Sequence, residues 1–296
     1  MRKRATIALL FLPVTLLAQR RDTTTALQPI VVTATRLPTP SSSLSQPVTV
    51  LKGDELRARG VQTVAEALGE APGATVSQSG SYGGVTSMFL RGGESRYTKV
   101  LIDGTPINSV GGTQFFQNLS LDNVDRIEIV YGPASALYGA DAMSGVVQIF
   151  TRHGSGAATL DADVRAGSYG SRDGSASLRG GSPRADYAIG GGWHHTDGVA
   201  SFNNQYTNGD LSGSLDLRPD DLSRIALTTR YTGSVYHFPT DYTGALNDSN
   251  SYTREHRLVL GIDASRSVAS GVRLRFLSGD NGIHGLSEDT QASGVA

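Results

Sequence analysis

Asp210-Leu-Ser-Gly-Ser-Leu-Asp-Leu-Arg218 is the stretch on which the fold turns. Leu211, Gly213, Leu215 and Leu217 alternate with Asp210, Ser212, Ser214, Asp216 and Arg218. A period of two belongs to a β-strand whose two faces meet different surroundings. The same grammar recurs on both sides of it. Ala158, Leu160, Ala162, Val164 and Ala166 alternate with Thr159, Asp161, Asp163 and Arg165. Ile225, Leu227 and Tyr231 alternate with Arg224, Thr228 and Arg230, and Val272, Leu274 and Phe276 with Arg273 and Arg275. A soluble sandwich also alternates. Two features favour a membrane barrel instead: strands of about ten residues suit a tilted bilayer crossing, and charge recurs on the polar face of strand after strand, as a wet lumen requires.

Seven strands are expected at 157–168, 173–181, 186–195, 208–218, 222–233, 252–265 and 271–278. Short connections follow strands two, four and six, and long ones (196–207 and 234–251) follow three and five, the asymmetry of an outer-membrane barrel. The short turn after strand one, 168–172, departs from that rule. Seven strands leave two edges that a bilayer does not tolerate. A lumen that holds a domain of about 115 residues needs about 22 strands. The 296 residues therefore read as the N-terminal part of a longer protein.

Upstream the grammar is mixed. Between 38 and 153, strands are expected at 48–51, 75–78, 88–90, 100–102, 126–130 and 146–150, with short helices at 54–59 and 133–138. Thr63-Val-Ala-Glu66 is a capping box opening a further helix that stops at Gly69, ahead of Pro72 and Gly73. Asp103-Gly104 makes a tight turn before Pro106. The fold class is thus an α+β domain followed by the first strands of a transmembrane antiparallel β-barrel. At the N-terminus, Arg2, Lys3 and Arg4 precede an apolar run from Ala5 to Ala18, interrupted by Thr6, Pro13 and Thr15, which reads as a secretion signal. The divisions are a signal peptide at 1–18, a tethered segment at 19–37, the α+β domain at 38–153 and barrel strands at 154–296.

The tethered segment contains Gln28-Pro-Ile-Val-Val-Thr-Ala-Thr-Arg36. Its uncharged, β-prone Ile30 to Thr35 lies ahead of a Pro/Ser-rich linker, as suits a free strand that another protein pairs with by strand addition. An ordinary first strand of the next domain is the alternative. With 26 basic and 27 acidic residues, charge points to no nucleic-acid partner. With no cysteine, disulfides and thiolate metal sites are excluded from this stretch.

The sequence resembles the TonB-dependent outer-membrane receptors, and within them the vitamin B12 (cobalamin) transporter group. The resemblance is carried by Ile30 to Arg36, Met88-Phe-Leu-Arg-Gly92, Val100-Leu-Ile-Asp-Gly-Thr-Pro-Ile-Asn108, Asp125-Arg-Ile-Glu-Ile-Val130 and Gly132 to Ile149. It implies a plug seated in a 22-stranded barrel of the bacterial outer membrane, with lipid around it. It implies ligand capture on the extracellular face and pulling by TonB, with its inner-membrane energising complex, on a box formed here by Ile30, Val31, Val32, Thr33 and Ala34. Arg91 would be a plug-locking residue facing barrel-wall carboxylates. Tyr131 departs from the family's Arg-Gly-Pro, which puts one plug–barrel ion pair in doubt.

Ligand contacts are expected from apical loops: Tyr82 in 79–84, Asn108, Gln114, Phe115 and Phe116 in 108–118, and Tyr236 in the loop after strand five, with His237 and Tyr242 as weaker candidates. Two adjacent Phe in a Gly/Asn-rich loop must place at least one ring outward, either for recognition or against the barrel wall. The cobalamin group can use calcium held by clustered loop carboxylates. Loop 196–210 offers only Asp197 and Asp210, so no calcium is expected there, and no resident cofactor is called for. The ligand implied is cobalamin or, alternatively, a ferric siderophore. A passive binding or adhesion barrel is the rival role. His194-His195 beside Trp193 is the nearest thing to a catalytic pair, and no hydrolase, P-loop or zinc-protease motif accompanies it.

Overall fold

The computed structural model describes residues 30–241 and 244–288. The expected signal peptide and Tyr242 lie outside them. The chain enters through β1 (Ile30–Val31), which pairs antiparallel with β2 (Thr39–Pro40). Next come β3 (Val48–Lys52), α1 (Gly53–Ala58), α2 (Val64–Gly69) and the hairpin of β4 (Ala74–Gln78) and β5 (Thr86–Leu90). They are followed by β6 (Thr98–Ile102), β7 (Thr105–Pro106), β8 (Val124–Tyr131), α3 (Ser135–Tyr138) and β9 (Gly145–Thr151). The central sheet runs β3-β8-β9-β6-β7 and is antiparallel except for β6 beside β9.

Local chemistry explains these elements. The capping box forms as read: Glu66 N donates to Thr63 Oγ1, and Thr63 N donates to Glu66 Oε2. Asp103 and Gly104 both take positive φ, 46° and 87°, the backbone of a tight hairpin turn between β6 and β7. Leu68, Met88, Leu90, Ile107, Phe116, Ile127, Ile129 and Ile149 close a core between the helices and the sheet.

Seven strands follow in one antiparallel sheet, each paired with its neighbours in the sequence. They are β10 (Thr159–Ala166), β11 (Arg172–Gly181), β12 (Ala185–Thr196), β13 (Tyr206–Leu217), β14 (Ser223–His237), β15 (Tyr252–Ala269) and β16 (Val272–Glu288). The last three run longer than the sequence pattern marks. β14 takes in Tyr236 and His237, expected in the following loop, because the pairing of β13 with β14 and of β14 with β15 continues past Gly233. The burial of these strands is inverted relative to a soluble sheet. On β13, Asp210 and Asp216 are 7% and 1% exposed, while Leu211 and Leu215 are 55% and 38% exposed. Arg230 and Arg257 are buried, and Leu227, Leu258, Leu260 and Ile262 are exposed. The polar face therefore wraps the α+β domain and the apolar face points away from it. That decides between sandwich and membrane wall, because only lipid makes an outward leucine row favourable. Among the described residues no helix is long and apolar enough to cross a membrane, so any crossing is made by strands.

Candidate functional site

Three regions bear on function, and they are stacked along the α+β domain. At the short-turn end lies the N-terminal segment. Val31 and Thr33 are fully buried, and Ile30 is exposed. Val32 N and Thr33 N each donate to Glu128 Oε2 at 2.9 Å, and Thr33 Oγ1 donates to the same oxygen at 2.6 Å. Glu128 Oε1 accepts from Arg126 Nε at 2.9 Å, while the Arg126 guanidinium stacks on Phe150. Tyr138 Oη donates to the Thr33 carbonyl, and Arg36 lies over the Tyr138 ring. The segment expected to stand free as an unpaired strand is thus docked on one buried carboxylate. Glu128 was not singled out from the sequence. Its signal was there: a lone carboxylate flanked by Ile127, Ile129 and Val130, where a buried charge needs several donors.

The second region is the seam between the α+β domain and the wall. Arg230 and Asp210, with side chains 3% and 1% exposed, lie 3.3 Å apart. Asp210 Oδ1 accepts from Ser120 Oγ at 2.5 Å. Arg230 donates to the carbonyls of Ser120 and Asp122 and to Ser120 Oγ. Burial, together with the neighbouring Asp210 carboxylate and against the pull of Arg230, pushes the Asp122 carboxyl up to about 6. Further along, Arg152 pairs with Asp54 and reaches Asp161, Asn123 Nδ2 donates to Ser212 Oγ, and Arg257 Nη1 donates to the Ile107 carbonyl and to Gln114. Arg91 is elsewhere. It sits exposed at φ 49°, with its guanidinium 4.8 Å from the centre of the Tyr131 ring, and among the described residues no carboxylate pairs with it. Tyr131 thereby supplies a π-face where a second arginine would repel.

The third region is the long-loop end. A cavity of about 460 Å3 lies between loop 79–85 and the wall loops, lined by Ser81, Gly83, Val199, Tyr236, Phe238 and Leu246 among others. No charged side chain lines it among the described residues. Tyr82 closes the neighbouring side: its Oη donates to Glu66 at 2.7 Å, and burial together with that carboxylate pushes its phenol well up. Phe115 is exposed and Phe116 is in the core, so the pair divides as its spacing demands. Asn108 is occupied in bracing its own loop, accepting from Val100 N and donating to the Thr98 and Gly112 carbonyls. Gln114 is buried beneath Arg257 and donates to the Phe115 carbonyl. His194 and His195 point to opposite faces, the first to Asp173 and the rings of Tyr82 and Tyr206, the second to Thr207 and stacked on Trp193.

Residues 40–146 match the family model described as the TonB-dependent Receptor Plug Domain. The chain carries the plug domain of a TonB-dependent receptor. It is 36% identical over 122 residues to the vitamin B12 transporter BtuB of Vibrio vulnificus (strain CMCP6), a match covering 41% of this chain and 20% of that protein. The match spans about a fifth of that relative's length. Among solved structures, the siderophore receptor PiuA from Acinetobacter baumannii aligns with a TM-score of 0.70 at 17% identity, covering 84% of this chain and 38% of that one. The ferric yersiniabactin uptake receptor FyuA from Yersinia pestis aligns with a TM-score of 0.67 at 17% identity, covering 86% and 43%. At such identities the likeness shows the fold. Carrying that plug, the protein is placed in the outer membrane, its α+β domain is the plug, and β10 to β16 are barrel wall.

Proposed function

We propose that this chain is the N-terminal part of an energised outer-membrane importer. Residues 1–18 are the export signal, 19–37 carry the TonB box, 38–153 are the plug and 154–296 begin the barrel. The observation that supports this best is the opposition of the box to the cavity. Ile30 to Ala34 sit at the short-turn end, and the cavity around Tyr236 sits among the long loops. A partner pulling the box from one side and a ligand arriving from the other then act on the same plug. A passive adhesion barrel has no use for a pairing strand at the opposite end from its binding face.

The ligand we assign is cobalamin. The uncharged lining of the cavity suits a bulky corrinoid of little net charge, held by Tyr236 and Phe238, with the exposed rings of Phe115 and Tyr82 assigned as further contacts outside the lining. An anionic ferric siderophore would call for arginine or lysine there, and among the described residues none lines it. Asn108, Gln114 and Phe116 act on this surface from behind, by shaping the loop that presents Phe115.

The test is uptake of labelled cobalamin by cells lacking their own receptor and carrying the complete gene, with and without a protonophore. Protonophore-sensitive uptake that Val31→Pro or Val32→Pro abolishes, with binding retained, is expected. Uptake surviving both substitutions would overturn the energised reading. Absence of cobalamin binding would return a ferric siderophore as the ligand.

A further inference from the structure

Two aspartates face each other directly across the barrel wall. Asp186 of β12 and Asp216 of β13 are register partners on the lumenal face, and their side chains are 8% and 2% exposed. Like charges directly opposite on one face destabilise a sheet unless cations stand between them. Two arginines answer part of this. Arg218 Nη2 donates to Asp186 Oδ2 at 2.7 Å, and Arg224 Nε donates to Asp216 Oδ2 at 2.6 Å. Both guanidiniums are about two-fifths exposed, and Arg224 is shared with Asp263. The inner oxygens are left over. Among the described residues neither Asp186 Oδ1 nor Asp216 Oδ1 has a hydrogen-bond partner, although both are buried; Arg218 Nη2 comes within 3.1 Å of the latter outside hydrogen-bond geometry.

The plug brings an imidazole to this pair. His153 lies two residues beyond β9, where the chain crosses from plug to wall. Its neighbours fix it from both sides. Ser214 Oγ, one strand pleat from Asp216, donates to the Arg152 carbonyl at 3.0 Å. Gly154 presses so close to the backbones of Gly180 and Tyr187 that a Cβ there would collide with their carbonyls. Among the described residues no hydrogen bond or ion pair holds the His153 ring itself. One nitrogen of His153 and one oxygen each of Asp186 and Asp216 lie within 4.8 Å of one another, beside a solvent-open cavity of about 560 Å3.

We infer that His153, Asp186 and Asp216 form a binding site for a divalent transition-metal ion of the zinc type, clamping the plug's exit segment to the barrel wall. One imidazole and two carboxylates suit zinc, cobalt or manganese, and a fourth position stays open to water from the cavity. The two arginines would hold the carboxylates from behind with the free oxygens turned inward, the outer-shell support that ligating carboxylates usually have. The exposed, unfastened His153 ring can swing to close the remaining distance. The site is independent of the ligand that the receptor carries, because it lies at the short-turn end, away from the apical cavity.

The test uses the complete receptor in detergent, titrated with zinc alone and with cobalt alone. Wild type is expected to bind one more equivalent of zinc than His153→Ala, or the same equivalent roughly tenfold more tightly, and to give a cobalt absorption spectrum that this variant lacks. Zinc should raise the thermal midpoint of wild type and leave His153→Ala unmoved. Asp186→Asn should itself raise the midpoint without metal, by relieving repulsion, and should remove the zinc increment. His194→Ala, at the other His–Asp pair, should bind as wild type does. Equal zinc binding in wild type and His153→Ala, or a loss confined to His194→Ala, would overturn the site.

Discussion

Glu128 receives three donors from the N-terminal box and one from Arg126, so all its acceptor capacity toward the plug is engaged. Replacing it by glutamine keeps the shape and turns one acceptor into a donor, which must then face either Arg126 or the box. Removing one buried partner costs about 1–3 kcal/mol. We therefore expect Glu128→Gln to release the box and raise its exposed fraction by roughly ten- to a hundredfold. The chain has no cysteine, so a spin label at Ile30→Cys can report it. Unchanged label mobility would show that the box is held by other contacts. Asp122 gives a second prediction. Its carboxyl is raised to about 6 from an ordinary 3.8, so between those pH values the seated plug binds more protons than the unfolded chain. Stability from this group is then greatest at low pH and falls as pH rises through 6. The difference is on the order of 3 kcal/mol at neutral pH. Asp122→Asn should flatten the pH 4–7 dependence of thermal stability relative to wild type. Parallel pH profiles for the two proteins would refute this.

At the scale of elements, the wall is organised in rows. Tyr187, Leu215, Leu227 and Ile262 are successive register partners on the outer face of β12 to β15. Asp186, Asp216, Ala226 and Asp263 form the corresponding inner row. One residue of slip would exchange the two and place three carboxylates in lipid, so register is strongly specified here. Leu215→Arg should destabilise the complete barrel in bilayers by about 2–4 kcal/mol if it lies near mid-depth. Leu215→Phe should be close to neutral by the same denaturant titration. Equal effects of the two would mean that this face does not meet lipid. The plug's elements obey different rules. Its strands β6, β8 and β9 are short and largely buried on both faces, and α2 depends on its capping box rather than on length, since a helix of six residues is marginal alone.

At the scale of the whole molecule, plug and wall are joined through groups that neither could bury alone. Arg230 and Asp210 are the clearest case. Arg230→Met leaves Asp210 buried without its cation and should cost about 3–5 kcal/mol. Adding Asp210→Asn should recover much of that loss in thermal unfolding of the full receptor. A double variant as unstable as the sum of the two single variants would argue against their coupling. The strand and helix pattern, the capping box, the Asp103-Gly104 turn and the inside-out alternation were legible in the residues, because periodicity and turn chemistry act over a few positions. Of the segment read as a strand from Ile30 to Thr35, only Ile30–Val31 is strand and turns follow, and its docking was not legible: the partner carboxylate lies 95 residues away from Thr33. Arg91 was read as a lock because it lies within a family motif, whereas the buried arginines that join wall to plug among the described residues are Arg230 and Arg257, whose plug partners come from loops distant in sequence. Phe115 and Phe116 were distinguishable only once the Phe116 amide had bonded to Thr86 and turned that ring into the core. Local order was determined by the sequence itself; which buried charge meets which donor was decided only by tertiary structure, because a desolvated charge selects its partner by proximity in space.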